Sequence, residues 1–248
     1  MKVGIIGFGN MGSSIYNILK KRGHKIYVAE KNVEKIKKLK IETHNLKEKI
    51  DIDYIILAIK PKDIKDFSTN WNGKFISILA GTQTKTIKEQ LKIDKVIRLM
   101  PNIGLLAGKG IAGIYFDNIN KEEKEKDIRF IEEFTKVVEV ANEDLIDSIT
   151  SISGSGPAFV FMFIEAFANA GIRIGLDKET SYKLVQETIL GSIELMKKTK
   201  KHPAELKEIV ASPGGTTIEG ISKLEEKGFR SSIIECVYST YQKTRKIV

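Results

Sequence analysis

Short apolar runs alternate with amphipathic stretches as far as about Thr150. Val3 to Ile6, Ile26 to Ala29, Tyr54 to Ile59, Phe75 to Leu79 and Val96 to Met100 each read as a strand. Turn residues close the later ones: Lys60-Pro61, Ala80-Gly81 and Pro101-Asn102. Runs with no polar interruption suit strands covered on both faces, as in a parallel sheet flanked by helices. Ile111 to Phe116 and Val137 to Val140 read as later strands of the same sheet.

After Thr150 the pattern turns helical. Ser153-Gly154-Ser155-Gly156-Pro157 is a compact breaker, and Pro157 suits the first turn of a helix running to Gly171. Asp177 is placed to cap a second helix, with Leu184, Val185, Thr188, Ile189, Ile193 and Met196 in helical spacing. A third helix starts at His202-Pro203 and ends near Ala211. A fourth runs from Thr216 to about Lys227, and Gly228 separates it from a last one that frays into Lys243-Thr244-Arg245-Lys246. Phe159 to Phe167 is apolar on more than one face, an excess that a second subunit would cover. The expected division is residues 1–152 and 153–248.

Gly7-Phe8-Gly9-Asn10-Met11-Gly12 is a G-x-G-x-x-G run that follows a strand and opens a helix, Ser13 to Lys21. That context makes it a dinucleotide fingerprint. Gly7 permits the tight turn, Gly9 lets a pyrophosphate approach the backbone, and Gly12 allows close helix–strand packing. The helix start offers N–H groups and partial positive charge to phosphates. The fold expected is α/β: an N-terminal Rossmann-type doubly wound sheet, then an all-helical C-terminal domain for substrate binding and dimerisation. Glu30, 18 residues after Gly12, stands where an acidic residue would grip the ribose 2′-hydroxyl of NAD. Lys31 would instead neutralise the 2′-phosphate of NADP. The balance tilts toward NADH, with either cofactor expected to serve. Ligands of such sheets lie beyond the carboxyl ends of the strands, which points to Ala58-Ile59-Lys60-Pro61, Ala80-Gly81-Thr82 and Met100-Pro101-Asn102.

Composition narrows the classes. The 41 Lys and Arg against 32 Asp and Glu give a formal charge of +9, which would draw in small anions. Lysines such as those from Lys121 to Lys126 alternate with glutamates, the pattern of a solvated helix face and not of a nucleic-acid track. The single cysteine, Cys236, excludes an internal disulfide, and three scattered histidines offer no zinc set. No apolar run approaches the roughly 20 residues that cross a bilayer. A cytoplasmic protein is expected, with no nucleic-acid or membrane partner.

Ser212-Pro213-Gly214-Gly215-Thr216-Thr217 leaves backbone N–H groups unobstructed at a helix start and adds two hydroxyls, a site suited to a carboxylate or a plain capped approach loop. With His202-Pro203-Ala204-Glu205-Leu206-Lys207 before it and Ile218, Leu224-Glu225 and Gly228-Phe229-Arg230 after it, the stretch resembles the signature of pyrroline-5-carboxylate reductases. Glu143-Asp144-Leu145-Ile146-Asp147, Ser153-Gly154-Ser155-Gly156-Pro157-Ala158-Phe159, Gly9-Asn10-Met11, Ala58-Ile59-Lys60-Pro61 and Met100-Pro101-Asn102 extend the likeness over almost the whole chain. The resemblance implies reduction of the cyclic imine to L-proline by NAD(P)H, with Ser212, Gly214, Gly215, Thr216 and Thr217 around the substrate carboxylate. It implies that Thr217 hydrogen-bonds the ring nitrogen, that Asn45 lies near the cofactor and that Ala80-Gly81 lies beside the nicotinamide ribose. It also implies an intertwined homodimer at least, built in some members into a ring of dimers. Ile103-Gly104 departs from the family, which usually shows Thr-Pro there. A hydroxyacid dehydrogenase would need a lysine general acid on an apolar helical face, and none follows Thr150. A deazaflavin-linked NADP reductase would share the first half but have no use for the Ser212–Thr217 loop.

Overall fold

The computed structural model describes residues 1–245, and the backbone only of Val33, Lys35 and Lys37; Lys246 and the last two residues of the expected second domain lie outside it. Two compact units divide the chain, one from Met1 to Pro157 joined by the segment from Thr240, the other Ala158–Ser239.

The first unit is a seven-stranded sheet. Its elements run β1 (Lys2–Ile6), α1 (Asn10–Lys21), β2 (Lys25–Ala29), α2 (Val33–Lys38), β3 (Asp51–Leu57), β4 (Asn72–Ser77), α3 (Thr84–Leu91), β5 (Val96–Pro101), β6 (Ile111–Asp117), α4 (Lys121–Ile131), β7 (Lys136–Glu139) and α5 (Leu145–Ile149). The strand order is β2-β1-β3-β4-β5-β6-β7. Each expected strand is present, and α1 begins three residues earlier than the sequence suggested, because Asn10-Met11-Gly12 already turns helically after Gly9.

The expectation of a parallel sheet needs one correction. β5 and β6 pair antiparallel, from Val96 opposite Asp117 to Pro101 opposite Ala112. Only residues 102–110 separate them, mostly a tight 3₁₀ turn over Ile103–Ala107. A parallel return needs a dozen or more residues, so this link makes a reversal. The α4 crossover restores parallel pairing of β6 with β7.

Alternation along the central strands sends side chains to two cores. Val3, Ile5, Tyr54, Ile56, Ile76 and Ile97 pack with Ile15 and Leu19 of α1 and Phe130 of α4. Ile6, Ile55, Leu57, Phe75 and Val96 face Ile64, Phe67 and Trp71 of the β3–β4 connection and Ile87 of α3. Both faces are covered, which is why the strands read as continuous apolar runs. The first core holds one polar cluster. Asp127 of α4, fully buried, accepts from the Tyr54 phenol at 2.8 Å and from Lys74 Nζ at 2.9 Å. The Tyr54 ring stacks on Phe130 with centroids 4.1 Å apart.

The second unit is helical. It contains most of α6 (Gly156–Arg173), α7 (Lys178–Thr199), α8 (Pro203–Val210), α9 (Thr216–Glu226) and most of α10 (Phe229–Thr244). As expected, Asp177 caps α7, its carboxylate accepting from Thr180 N at 2.9 Å and held below the usual aspartate range by that hydrogen bonding. α6 and α7 cross where side chains are small. Ser181 Oγ donates to the Ala168 carbonyl at 2.5 Å, and a Cβ on Gly171 would run into that hydroxyl. Among the described residues of this unit only Ala168, Ser181 and Val185 are buried. Phe161, Met162, Ile174 and Ile234 are each more than 60% exposed.

The helical run Leu145–Arg173, which includes a π-helical turn over Thr150–Gly154, is by length and composition apolar enough to cross a membrane. The polar stretch at Ser153–Ser155, expected as a break, does not interrupt this helix; length and composition alone do not make it a membrane span, since a helix covered inside a protein meets the same test.

Candidate functional site

The crevice of such a sheet falls where strand order reverses, between β1 and β3. There an open cleft of about 880 Å³ is lined by Gly7, Phe8 and Gly9 after β1, Glu30, Lys31 and Asn32 after β2, and Ala58, Ile59 and Lys60 after β3. The link from α2 to β3 closes another side with Thr43, His44, Asn45, Leu46 and Glu48, and Lys62, Asp63 and Phe67 complete the wall.

The three fingerprint glycines do three jobs. Gly7 has φ +98°, and a Cβ on it would lie 2.5 Å from the Ala58 carbonyl oxygen. A Cβ on Gly12 would strike the Gly7 carbonyl, so Gly12 lets α1 sit against the turn. Gly9 is different: a Cβ there would meet nothing within 4 Å. The space above Gly9 is the cleft itself. Gly9 is also the N-cap of α1, with no capping side chain and no acidic residue in the first turn. The helix start therefore presents backbone N–H groups and the positive end of its dipole, as a diphosphate requires.

Glu30 is tied into this loop. Its carboxylate accepts from Phe8 N at 2.6 Å and from Asn32 N at 2.9 Å. Lys31 points out to solvent and pairs with Asp63 at 3.3 Å. Asn45 shapes its own loop, with Oδ1 accepting from Lys47 N at 2.9 Å and its carbonyl accepting from Trp71 Nε1 at 3.2 Å. His44 N donates to the Val28 carbonyl at 2.8 Å, stitching the loop to β2.

Of the positions marked in the sequence, Gly7, Phe8, Gly9, Glu30, Lys31, Asn45, Ala58, Ile59 and Lys60 converge on the cleft. Asn10, Met11 and Gly12 lie in the first turn of α1, and Pro61 opens the 3₁₀ turn Pro61–Asp63, all behind the lining residues. Ala80-Gly81 leaves the carboxyl end of β4, at the same edge of the sheet but outside the lining. Sequence reasoning missed the polar residues of the wall outside the marked positions: Asn32, Thr43, His44, Glu48, Lys62 and Asp63. Nothing in a polar loop after α2 marks it as folding back onto β2. Asp63 did carry a signal, since Pro61 starts a helical turn whose third residue is Asp63.

The carboxyl ends of β4 and β5 are fixed by Arg98. This buried residue pairs with Glu143 at 3.0 Å and Asp147 at 3.4 Å. Glu143 also accepts from Thr84 N at 2.7 Å and Thr84 Oγ1 at 2.8 Å, which caps α3 just beyond the Ala80–Thr82 loop. Asn102 holds the β5–β6 reversal, its Oδ1 accepting from Ile111 N at 3.3 Å. The departure at Ile103-Gly104 fits this turn closely, a Cβ on Gly104 lying 3.1 Å from both Asn102 Oδ1 and the Lys109 carbonyl.

In the helical unit, Ser212–Thr217 forms the approach to α9. Gly214 has φ +69°, Gly215 is the N-cap, and Gly215 N donates to the Ser212 carbonyl at 3.1 Å. No side chain caps α9. Thr216 and Thr217 are its first two residues, Thr217 half-buried. The preceding helix, by contrast, is sealed: His202 Nδ1 accepts from Ala204 N at 3.2 Å, and Glu205 accepts from His202 N at 3.3 Å. His202-Pro203-Ala204-Glu205 is thus a capping box and α9 is left open, which separates a structural motif from a candidate ligand site.

The fold and the cleft define a dinucleotide-binding protein. Residues 143–247 match a family profile described as pyrroline-5-carboxylate reductase dimerisation, and residues 2–81 match one for coenzyme F420-dependent NADP oxidoreductase. The pyrroline-5-carboxylate reductase of Aquifex aeolicus is 36% identical over all of this chain and 97% of its own length. That of Escherichia coli is 34% identical over 99% and 98%. Among solved structures, the reductase of Streptococcus pyogenes superposes with a TM-score of 0.90 at 26% identity, over 99% of this chain and 98% of that one. The Plasmodium falciparum enzyme with NADP bound gives 0.83 at 28% identity, over 99% and 97%. The chain belongs to the pyrroline-5-carboxylate reductase family.

Proposed function

We propose that the chain reduces pyrroline-5-carboxylate to L-proline with NAD(P)H, residues 1–152 binding the cofactor and 153–248 the imine. What supports this most is that one chain, matched end to end by these reductases, joins a cleft floored by Gly9 to an uncapped helix start at Thr216. The cleft fits the cofactor: an open cradle over Gly9, bare N–H groups at α1, and Glu30 at the end of β2. Gly7 to Gly12 would take the diphosphate, Glu30, Lys31 and Asn45 the adenosine half, and Ala58 to Pro61 with Ala80-Gly81 the nicotinamide half. Bound there, NAD(P)H supplies a hydride to the imine carbon.

The substrate carboxylate would rest on the Ser212–Thr216 loop, on N–H groups such as those of Gly214 and Thr216 at the positive end of α9, while Gly215 N holds the turn by its bond to the Ser212 carbonyl. Thr217 Oγ1 would hold the ring nitrogen. A protonated imine is already electrophilic, and a threonine hydroxyl is a weak acid, so Thr217 orients the ring and solvent supplies the proton. Holding two reacting centres in line is worth roughly 7–11 kcal/mol of barrier, enough that no buried acid–base pair is needed. The exposed apolar faces of the helical unit would be covered by a second copy, giving a homodimer at least and extending to a ring of dimers. The enzyme would work in the cytoplasm, with no nucleic-acid or membrane partner.

Purified protein should oxidise reduced nicotinamide on addition of pyrroline-5-carboxylate, followed by loss of its near-ultraviolet absorbance. Turnover with a keto acid or aldehyde in place of the imine would identify a hydroxyacid dehydrogenase and overturn the assignment.

A further inference from the structure

Building on this cofactor reading, we propose that Glu30 makes the enzyme select NADH over NADPH, by fixing a carboxylate where the adenosine 2′-phosphate would have to lie. A glutamate at a strand end ordinarily swings away from an incoming anion. Glu30 is held, because one oxygen accepts from Phe8 N at 2.6 Å and the other from Asn32 N at 2.9 Å. Turning it outward would break both hydrogen bonds, one of them to the fingerprint loop itself. The side chain is half-buried and lines the cleft.

The acceptors left on such a carboxylate suit a ribose with free hydroxyls, since each hydroxyl brings a proton to donate. A 2′-phosphate brings only acceptor oxygens and a charge near −2. The neighbouring cations do not rescue it. Lys31, the residue best placed by sequence to meet a 2′-phosphate, is paired with Asp63 at 3.3 Å. Across the whole lining, Lys31, Lys60 and Lys62 are matched by Glu30, Glu48 and Asp63, three against three. The strongly basic charge of the chain is therefore not concentrated here. Because the Plasmodium falciparum relative was solved with NADP bound, this selectivity belongs to the residues of this chain and not to the family as a whole.

Binding can be read without turnover. The chain has one tryptophan, Trp71, whose indole donates to the carbonyl of the cleft residue Asn45. Energy transfer from Trp71 to a reduced nicotinamide reports occupancy when the full chain is titrated with NADH or NADPH, imine omitted. NADH should bind at least about tenfold more tightly than NADPH. Glu30→Gln, close in shape and uncharged, should bring the two affinities within about threefold. Asp63→Asn, which releases Lys31 while leaving Glu30 in place, should raise NADPH affinity several-fold on its own. Equal binding of the two cofactors by the wild-type chain, or an unaltered ratio in Glu30→Gln, would overturn the proposal while leaving the reductase reading intact. Binding of neither would remove both. Should Glu30→Gln fail to fold, the wild-type ratio and the Asp63→Asn shift still decide the matter.

Discussion

Glu143 caps a helix that begins 59 residues earlier, accepting from both the amide and the hydroxyl of Thr84 while it neutralises Arg98. Removing it should cost more than removing its cationic partner. Glu143→Ala leaves a buried guanidinium with Asp147 alone and strips the α3 amide, a loss of about 1–3 kcal/mol for groups left unsatisfied. Arg98→Met fills the same space with an apolar chain and leaves two carboxylates that reach water, a smaller loss. Urea unfolding of the two variants, compared with wild type, measures the order.

Gly9 and Gly12 separate binding from stability. A side chain on Gly9 enters open cleft, so Gly9→Ala should unfold with the wild-type midpoint yet bind cofactor more weakly. Gly12→Ala meets the Gly7 carbonyl and should lose both. Thermal unfolding beside cofactor titration of each variant makes the comparison; a Gly9→Ala protein with undiminished affinity would move the diphosphate elsewhere.

Thr217→Ala should lower kcat/KM for the imine about tenfold or more, the scale of one hydrogen bond to a charged group, with cofactor affinity unchanged. Gly214→Ala tests the loop next to it. The left-handed φ of Gly214 costs an L-residue roughly 1–2 kcal/mol, and relief of that strain would reshape the turn and raise KM for the imine. Wild-type kinetics in both variants would exclude the Ser212–Thr217 turn as the carboxylate site.

The Tyr54 phenol ionises well above its ordinary value of 10.0, first because of burial and then because of its hydrogen bond to Asp127. A raised folded-state pKa gives stability that is complete below the unfolded value and lost as pH climbs toward the folded one. Unfolding free energy should thus fall as pH rises above about 10. Tyr54→Phe should flatten that alkaline limb, as followed by denaturant midpoints across the range.

Phe161 and Met162 test the assembly. Both are more than 60% exposed on α6, within the segment that matches the family's dimerisation profile. Phe161→Glu or Met162→Lys should shift sedimentation toward the monomer and reduce activity with it. A monomeric wild-type chain of full activity would defeat the dimer.

The sheet was legible because its central strands are covered on both faces and so read as mostly apolar runs, with Ser77 and Arg98 buried within them. Ile5 and Ile6, adjacent and both buried, serve opposite cores. The reversal at β5–β6 was not legible from strand content, since direction depends on loop length, and residues 102–110 hold the answer only when counted. The glycine fingerprint showed its site because each glycine has a separate steric reason. Thr43 and His44 stayed hidden, because the loop docks by contacts between residues distant in sequence, His44 N donating to the Val28 carbonyl and its ring packing on Tyr27. The continuity of Leu145–Arg173 was missed because Ser153-Gly154-Ser155-Gly156-Pro157 spells a break by composition, while Ser153 Oγ donates to the Ile149 carbonyl and Ser155 N to the Thr150 carbonyl within the helix.

With only Ala168, Ser181 and Val185 withdrawn from water, the helical unit has almost no interior of its own. Acquiring its shape and meeting a second chain should then be a single reaction, second order in protein. Its melting temperature should climb with concentration, and simple dilution should act on it as a denaturant does on an ordinary monomer.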